Sequence, residues 1–483
     1  MAFWNRTKSF ESATTRSTHS ALKPTLTWVH LVGLGVGGIV GTGIYTLTGV
    51  GAGMAGPAVI LSFAIAGLVC VCAALAYAEM ATMMPMAGSA YTYTYVALGE
   101  LLAWIVGWTL ILEYTVVCSA VAVGWSGYAA GVIRSAGWPI PEALLVGPFA
   151  GGLVNVPAIF ISFAVAGLLA IGSRESATVN LVLVGVKLVA LAIFISLALP
   201  AFSADNFQPF APFGYGSVEI ADGTKRGVMA AAAIIFFAFY GFDAVSTAAE
   251  ETKNPKRDLK IGIVGSMVVC TLLYMVVAAA ALGGSNYQDL ANSVEPLAMV
   301  LRNLSHPLAA TLIASAAVIA LPTVIMAFMY GQSRIFFVMA RDGLLPQRLS
   351  AVHPRSGTPV LMTFITSIIV ALIAAFVPLE NIAAVANAGT LIAFIAVAVC
   401  MMVMRSRHPQ HPRMFGPTTT WIIGIGAIVG CVYLFSSLQT RTMYSVLIWN
   451  TIGLAVYLLW ARRRSLLEPG AGREKEGKLS SAA

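Results

Sequence analysis

The stretch "GGIVGTGIYTLTG", residues 37–49, lies inside the first long apolar run of the chain, yet five of its thirteen residues are glycine. Gly33, Gly37 and Gly41 have the G-x-x-x-G spacing by which apolar helices pack closely. That spacing does not account for Gly-Thr-Gly at 41–43, where two glycines flank a β-branched residue and helix propensity falls sharply. The stretch therefore predicts an interrupted helix.

Composition identifies the surroundings of this interruption. The 483 residues are 58% hydrophobic and 10% charged, with a mean hydropathy of +0.85, whereas soluble domains are about 45–50% apolar and about 25% charged. An apolar run of roughly 20 residues spans a bilayer as a helix. We predict an all-α integral membrane protein with twelve transmembrane helices, over 28–52, 57–82, 94–133, 156–172, 177–199, 227–250, 260–282, 308–339, 358–377, 380–404, 419–437 and 443–461.

Basic residues predict the orientation, because lysine and arginine stay preferentially on the cytoplasmic side. With the N-terminus inside, 21 of the 28 basic residues fall in inner segments and five in outer ones. We therefore expect a multi-pass protein of the cell (cytoplasmic) membrane, with cytoplasmic tails at 1–27 and 462–483. This bias accounts for the net charge of +8, so the charge does not indicate a nucleic-acid partner.

A second interruption is predicted in the sixth span, where "FFAFYGFDAVSTAAEE", residues 236–251, carries Gly241 and Asp243 among apolar residues. Breaks at bilayer depth are tolerated only beside protein or a polar cavity, and secondary transporters place them at corresponding positions of two related halves. Spans one and six are five helices apart, and because five is odd the halves would be inverted. The predicted units are a first repeat at 28–199, an inverted repeat at 227–404 and two further helices at 419–461.

The broken helix ends also predict the kind of ligand. An N-terminal half-helix end presents N–H groups to an anion, and a C-terminal end presents carbonyls to a cation. A zwitterionic α-amino acid matches both ends.

Motifs in both halves carry a family resemblance. The chain resembles the amino acid–polyamine–organocation (APC) superfamily and, within it, bacterial members of the cationic amino acid transporter family. The resemblance implies the LeuT-like fold, a 5+5 inverted repeat with helices 1 and 6 broken. The stretches that carry it are "GGIVGTGIYTLTG" (37–49), "PMAGSAYTYTYVALGELLAWIVGWTLILEY" (85–114), "GVKLVALAIF" (185–194), "FFAFYGFDAVSTAAEETKNPKRDLKIGI" (236–263) and "GQSRIFFVMARDGLLP" (331–346).

The resemblance also implies a substrate site built from main-chain groups. The substrate carboxylate would lie on the N–H groups of Thr42 and Gly43, and the ammonium on the carbonyls of Ile39, Phe237 and Tyr240. The Phe237 side chain has competing interpretations as plain packing or as a gate over the pocket.

Ionisable residues inside apolar spans are costly and are functional candidates by default. Glu113 and Asp243 are candidate substrate-binding residues that would leave room for a cationic side chain, while Met326 and Met329 would narrow that room. The structural alternatives are an internal ion pair and, for Asp243, capping of freed N–H groups. The choice between cationic and neutral substrates stays open.

Lys187 is the candidate for proton coupling. In the family that this chain resembles, a lysine of the fifth helix lies where sodium-coupled relatives bind their ion, which implies coupling to a proton without sodium and without a cofactor. Burial disfavours the charged form of a lysine, whereas nearby carbonyls favour it. The alternative is a permanently charged brace, with the proton carried by Asp243 or Glu113.

Charged residues near the inner span ends allow two interpretations. The basic residues of the loops 250–258 and 341–346 serve topology or form inner-gate salt bridges. Arg334, Glu250 and Glu79 are predicted to form gate or interface pairs.

The function predicted from these features is proton-coupled amino acid symport by alternating access. An obligate exchanger and a non-transporting amino acid sensor are the alternatives. A channel fits broken helices less well. The stretch "YGFD" at 240–243 resembles an intramembrane aspartyl protease motif, but the sequence has no second midspan aspartate to share a proton with Asp243, so no enzyme is expected. Cysteine and histidine spacing predicts no metal site. Substrate and lipid are the expected partners, and the sequence leaves a small accessory membrane protein open.

Overall fold

The computed structural model describes residues 6–11, 22–135, 137–219, 224–293, 295–377, 379–438 and 440–467. Most of the predicted tails 1–27 and 462–483 lie outside these residues. Regular structure in the described part is almost entirely helical, as expected where apolar surroundings oblige the backbone to pair internally. Its sheet is a short antiparallel hairpin of β1 (Val218–Glu219) and β2 (Lys225–Arg226).

Helices of the N-terminal part follow the apolar runs of the sequence. They are α1 (Trp28–Ile39), α2 (Thr42–Tyr45), α3 (Leu47–Ala55), α4 (Val59–Met83), α5 (Ala90–Ala97), α6 (Glu100–Ser135), α7 (Val156–Ile171) and α8 (Ser173–Ala198). The predicted span 94–133 is divided at Gly99, whose φ of +105° lies in the left-handed region that favours glycine.

Helices of the C-terminal part follow in the same way. They are α9 (Val228–Ile235), α10 (Phe242–Thr247), α11 (Pro255–Gly284), α12 (Tyr287–Asn292), α13 (Pro296–Asn303), α14 (Pro307–Ala320), α15 (Pro322–Arg341), α16 (Val360–Phe376), α17 (Leu379–Arg407), α18 (Pro417–Ser436) and α19 (Thr440–Leu459). The predicted span 308–339 is divided before Pro322, which cannot donate to the preceding turn and is suited to the first position of a helix.

Nine helical segments of the described chain are long and apolar enough to cross a membrane. One of them joins α3 and α4 into Leu47–Met83, and three shorter apolar helices accompany the nine, at Trp28–Ile39, Val156–Ile171 and Val360–Phe376. The protein is therefore an all-helical, multi-pass membrane protein.

Two of the apolar helices are interrupted at the glycine-containing stretches. The helix α1 ends at Ile39, Val40 is extended with φ −74° and ψ 95°, and α2 begins at Thr42. After α9, one 3₁₀ turn over Phe236–Phe239 leads to an extended Tyr240, and α10 begins at Phe242. Gly241 between them has a φ of +120°, a backbone conformation that side chains with a Cβ rarely adopt.

The two interruptions contact each other. A Cβ on Gly241 would lie 2.5 Å from the carbonyl carbon of Gly38 and 2.7 Å from the nitrogen of Ile39. A Cβ on Gly43 would overlap the Cα and Cβ atoms of Ala238. Glycine at these positions therefore permits a backbone-to-backbone approach that any larger residue would prevent.

Candidate functional site

A cavity lies between the two interruptions. It is lined by Gly38, Ile39, Gly41, Gly43, Val117, Phe237, Tyr240, Val324 and Phe328. Of the predicted site residues, this set brings together Ile39, Gly43, Phe237 and Tyr240. Apart from the tyrosine hydroxyl, the side chains that line the cavity are apolar.

Main-chain groups at the broken ends face this junction. Thr42 and Gly43 begin α2, and the N–H groups of a first helical turn have no partner within the helix. The side chain of Thr42 lies outside the described residues. The Ile39 carbonyl accepts a hydrogen bond from the Tyr274 hydroxyl at 2.5 Å, which leaves it a second lone pair.

Lys187 of α8 is fully buried and reaches the end of α1. Its Nζ donates to the Gly37 carbonyl at 3.0 Å, to the Val40 carbonyl, and to the Thr323 hydroxyl of α15 at 2.6 Å. Three acceptors match the three N–H donors of an ammonium. The side chain therefore ties α8, the broken end of α1 and the start of α15 together.

Asp243 is buried behind the second interruption. One carboxylate oxygen accepts a hydrogen bond from the Gly241 N–H at 3.2 Å, and the other accepts one from the Tyr114 hydroxyl. The first contact satisfies the N–H of Gly241, the residue that precedes α10, in the way that the reach-back bond of a capping box does. Asp243 is outside the set of described residues that line the cavity.

Glu113 and Tyr240 are both held by α17. The hydroxyl of Thr390 donates to Glu113 Oε1 at 2.6 Å. The hydroxyl of Tyr240 donates to Asn387 Oδ1, and Asn387 Nδ2 donates to the Ala233 carbonyl at 3.0 Å. Glu113, like Asp243, is outside the cavity-lining set.

Other residues at this junction escaped sequence reasoning, namely Tyr114, Thr323, Asn387 and Thr390. All four are neutral polar residues inside long apolar helices, where such groups bond across helices. The sequence shows these polar residues in the apolar helices, but it does not predict their hydrogen-bond partners on other helices. Met326 and Met329, predicted to narrow the pocket, are buried, and Val324 and Phe328 of the same helix line it instead.

Ion pairs lie beyond the broken segments and involve the predicted gate residues. The pairs are Arg334 with Glu251 at 2.9 Å, Arg341 with Glu250 at 2.8 Å and Arg413 with Glu79 at 3.3 Å. The first pair joins the chain just after α10 to α15, and each side chain is 1% exposed.

Replacing Arg334 with methionine is expected to lower the stability of the folded protein strongly. Removing one partner of a buried pair leaves an uncompensated charge, at a cost of about 3–5 kcal/mol. The measurement is the thermal unfolding midpoint of the purified protein in detergent. The matched control is Arg302→Met, because Arg302 is 50% exposed and pairs with Glu295 at 3.5 Å, so little change is expected. Equal midpoints for both variants would show that the buried pair contributes no net stability.

Fold and site together define a class: an all-helical, multi-pass membrane protein with a cavity between two interrupted helices. A sequence profile of the family described as amino acid permease matches residues 26–457. The chain belongs to this family, within the APC superfamily.

Relatives with described functions cover most of the chain. It is 43% identical over 455 residues to the branched-chain amino acid permease BcaP of Bacillus subtilis (strain 168), covering 93% of this chain and 96% of that protein. It is 39% identical to the methylthioribose transporter of the same organism, covering 96% and 98%. It is 36% identical to the vacuolar cationic amino acid transporter 4 of Arabidopsis thaliana, covering 80% of this chain and 64% of that protein.

Proposed function

We propose that this permease is a proton-coupled symporter of neutral, aliphatic α-amino acids that works by alternating access. The observation that carries the proposal is the cavity itself, which combines main-chain groups of two broken helices with apolar side chains. The test is uptake of radiolabelled L-leucine into proteoliposomes that contain the purified protein. Uptake equal to that of protein-free liposomes would overturn transport.

In this proposal the main chain holds the part that all α-amino acids share. The N–H groups of Thr42 and Gly43 bind the carboxylate, which the N-terminal end of a helix favours. The carbonyls of Ile39, Phe237 and Tyr240 bind the ammonium. These contacts do not discriminate among side chains, so selectivity must come from the remaining wall of the cavity.

That wall supports an aliphatic substrate. Val117, Val324 and Phe328 line it, and burying apolar substrate surface against them is favourable at about 25 cal/mol per Å². Glu113 and Asp243 are both outside the set of described residues that line the cavity. Glu113 accepts through Oε1 from Thr390, and Asp243 accepts from Gly241 and Tyr114. A cationic side chain entering this cavity would lose its hydration without a charge partner.

Competition is expected to reveal this selectivity. Unlabelled leucine, isoleucine and valine should inhibit leucine uptake, and lysine and arginine at the same concentration should inhibit at least about tenfold less, the ratio that 1.4 kcal/mol gives. Inhibition by lysine as strong as by valine would instead favour the cationic alternative, and strong inhibition by methylthioribose would place selectivity outside the amino acids.

Lys187 carries the coupling in this proposal. Its protonated form holds the end of α1 through Gly37 and Val40. Loss of the proton would remove one donor and the charge, which would weaken the attachment of α1 to α8. Protonation would thereby be linked to movement of α1, with no sodium ion and no cofactor required.

The proposal includes the predicted architecture. Twelve transmembrane helices would form an inverted repeat of 28–199 and 227–404, with two appended helices at 419–461. Both termini would be cytoplasmic in the cell membrane of the organism. The contact between Gly38 and Gly241 supports this arrangement, because the two interruptions lie side by side, and transporters built from inverted repeats bind substrate between their broken helices.

Two alternatives use the same cavity. An obligate exchanger would move labelled leucine only when unlabelled substrate is present on the opposite side. A sensor would bind leucine without moving it. Uptake into vesicles that contain no internal amino acid, driven by a proton gradient, separates the symporter from both.

A further inference from the structure

In the half that precedes its interruption, each broken helix accepts a hydrogen bond from a buried polar side chain of another helix. On α1 this is Lys187 of α8, which donates to the Gly37 and Val40 carbonyls. On the segment from α9 to α10 it is Asn387 of α17, which donates to the Ala233 carbonyl. Asn387 is 1% exposed.

The two side chains occupy equivalent places in the chain. Gly41 and Gly241 mark the interruptions and are 200 positions apart, and Lys187 and Asn387 are separated by the same 200 positions. Each side chain also bonds to the half-helix that precedes its glycine, although the carbonyls differ in position: Lys187 bonds close to Gly41, and Asn387 bonds further back, at Ala233. An inverted repeat would place these two residues in matching positions, one in each half.

We propose that Asn387 is the neutral counterpart of Lys187, a positioning residue that fixes the second half of the substrate site and takes no part in proton coupling. It acts through Tyr240, whose side chain lines the cavity and whose hydroxyl donates to Asn387 Oδ1. The coupling half of this statement rests on the proton symport proposed above, whereas the positioning half rests on the hydrogen bonds alone.

The chemistry of the Lys187 ammonium and the Asn387 carboxamide explains why only the first is assigned to proton coupling. An ammonium donates only, and its charge depends on a proton that it can lose. A carboxamide donates and accepts at once and does not titrate in the physiological range. Asn387 therefore keeps both contacts, to Ala233 and to Tyr240, whatever the pH, and in this proposal the proton response comes from Lys187 on the α1 side.

Substitution of Asn387 would remove one hydrogen bond from each of two buried groups. The Tyr240 hydroxyl and the Ala233 carbonyl would each lose the contact that the amide provides, and Tyr240 is 2% exposed. The tyrosine would then be free to leave its position in the cavity wall. Substrate affinity should fall, while the attachment of Lys187 to α1 is untouched.

The test compares Asn387→Ala, Lys187→Met and the wild type in proteoliposomes. Asn387→Ala is expected to raise the KM for L-leucine about tenfold or more, which corresponds to the loss of about 1.4 kcal/mol, while uptake still increases with an inward proton gradient. Lys187→Met should show the opposite pattern: leucine binding is retained, and uptake no longer increases with the proton gradient. The matched control is Asn450→Ala, since Asn450 of α19 bonds to Val446 and Thr109 away from the cavity.

Asn387→Asp adds a second measurement, the pH dependence of leucine affinity, which a misfolded variant would not show. A protonated aspartic acid donates and accepts as the amide does, whereas the ionised form cannot donate to the Ala233 carbonyl. Leucine affinity of this variant, measured by thermal shift, should therefore recover towards the wild-type value as pH falls, by a larger factor than the wild-type affinity changes over the same pH range. The binding assay also keeps the inference testable if Asn387→Ala does not fold.

Three results would overturn the inference. These are an unchanged KM in Asn387→Ala, loss of the proton response in the same variant, and a pH-independent affinity in Asn387→Asp. Failure of the wild type to transport leucine would contradict the proposed function instead, and the binding measurements on Asn387→Ala would still decide the positioning role.

Discussion

Lys187→Met is expected to abolish the concentrative uptake of leucine that an inward proton gradient drives. Methionine is similar in length but has no donor and no charge, so the Gly37 and Val40 carbonyls and the Thr323 hydroxyl all lose their contact with α8. Internal leucine should then rise only to the level reached without a driving force. The measurement is the accumulation ratio in proteoliposomes with an imposed pH difference.

The control for this variant is Lys225→Met. Lys225 belongs to β2 and donates to the Leu438 carbonyl at 3.3 Å, outside the site. Like Lys187→Met, the substitution Lys225→Met removes the positive charge of a lysine. Accumulation at the wild-type level is expected for this control. Gradient-driven accumulation that persists in Lys187→Met would show that Lys187 only braces the helices, and the proton would then have to travel by Asp243 or Glu113.

Gly43→Val is expected to weaken leucine binding about a hundredfold or more. Even a Cβ at this position overlaps Ala238, so α2 and the segment before Gly241 would have to separate. Such a shift moves the N–H groups that we assign to the carboxylate. Hydrogen bonds to a charged group contribute about 1.5–3 kcal/mol each, and about 1.4 kcal/mol corresponds to a tenfold change in affinity. Thermal shift with leucine, on protein that is shown to be folded and monodisperse, measures the effect.

The control is Gly185→Val on α8, where an added Cβ would meet no heavy atom within 4 Å. Wild-type affinity is expected there. Gly43→Val with wild-type affinity would contradict the site assignment. A second check uses the ligand: leucinamide, which has no carboxylate, should fail to stabilise the wild type, because the helix end then faces no anion.

The sequence predicted the features that depend on local chemistry. Glycine-rich stretches in apolar runs predicted where a helix cannot continue, and the structure interrupts its helices at 40–41 and 240–241. Composition predicted an all-helical membrane protein, and the family profile confirms the class of transporter. The substrate-binding and coupling roles of individual residues stay predictions.

Features that depend on contacts between distant segments were beyond sequence reasoning. Capping of a freed N–H by Asp243 was among the interpretations of the sequence, and its bond to the Gly241 N–H is local. Its bond to Tyr114 forms only because α6 packs against α10, and the sequence does not show that contact. No role was predicted for Asn387, because a neutral amide in an apolar helix has no distinctive local sequence pattern. Its position relative to Ala233 and Tyr240, more than 140 residues earlier, gives it a role.

The central claim is that a proton gradient, and not a sodium gradient, drives amino acid uptake through this cavity. The direct measurement uses proteoliposomes that contain wild-type protein and no internal amino acid, with radiolabelled L-leucine outside. An inward proton gradient without sodium should drive leucine above its external concentration, and an inward sodium gradient at equal pH should not. Accumulation driven by sodium at equal pH, or no accumulation with the proton gradient, would contradict the account.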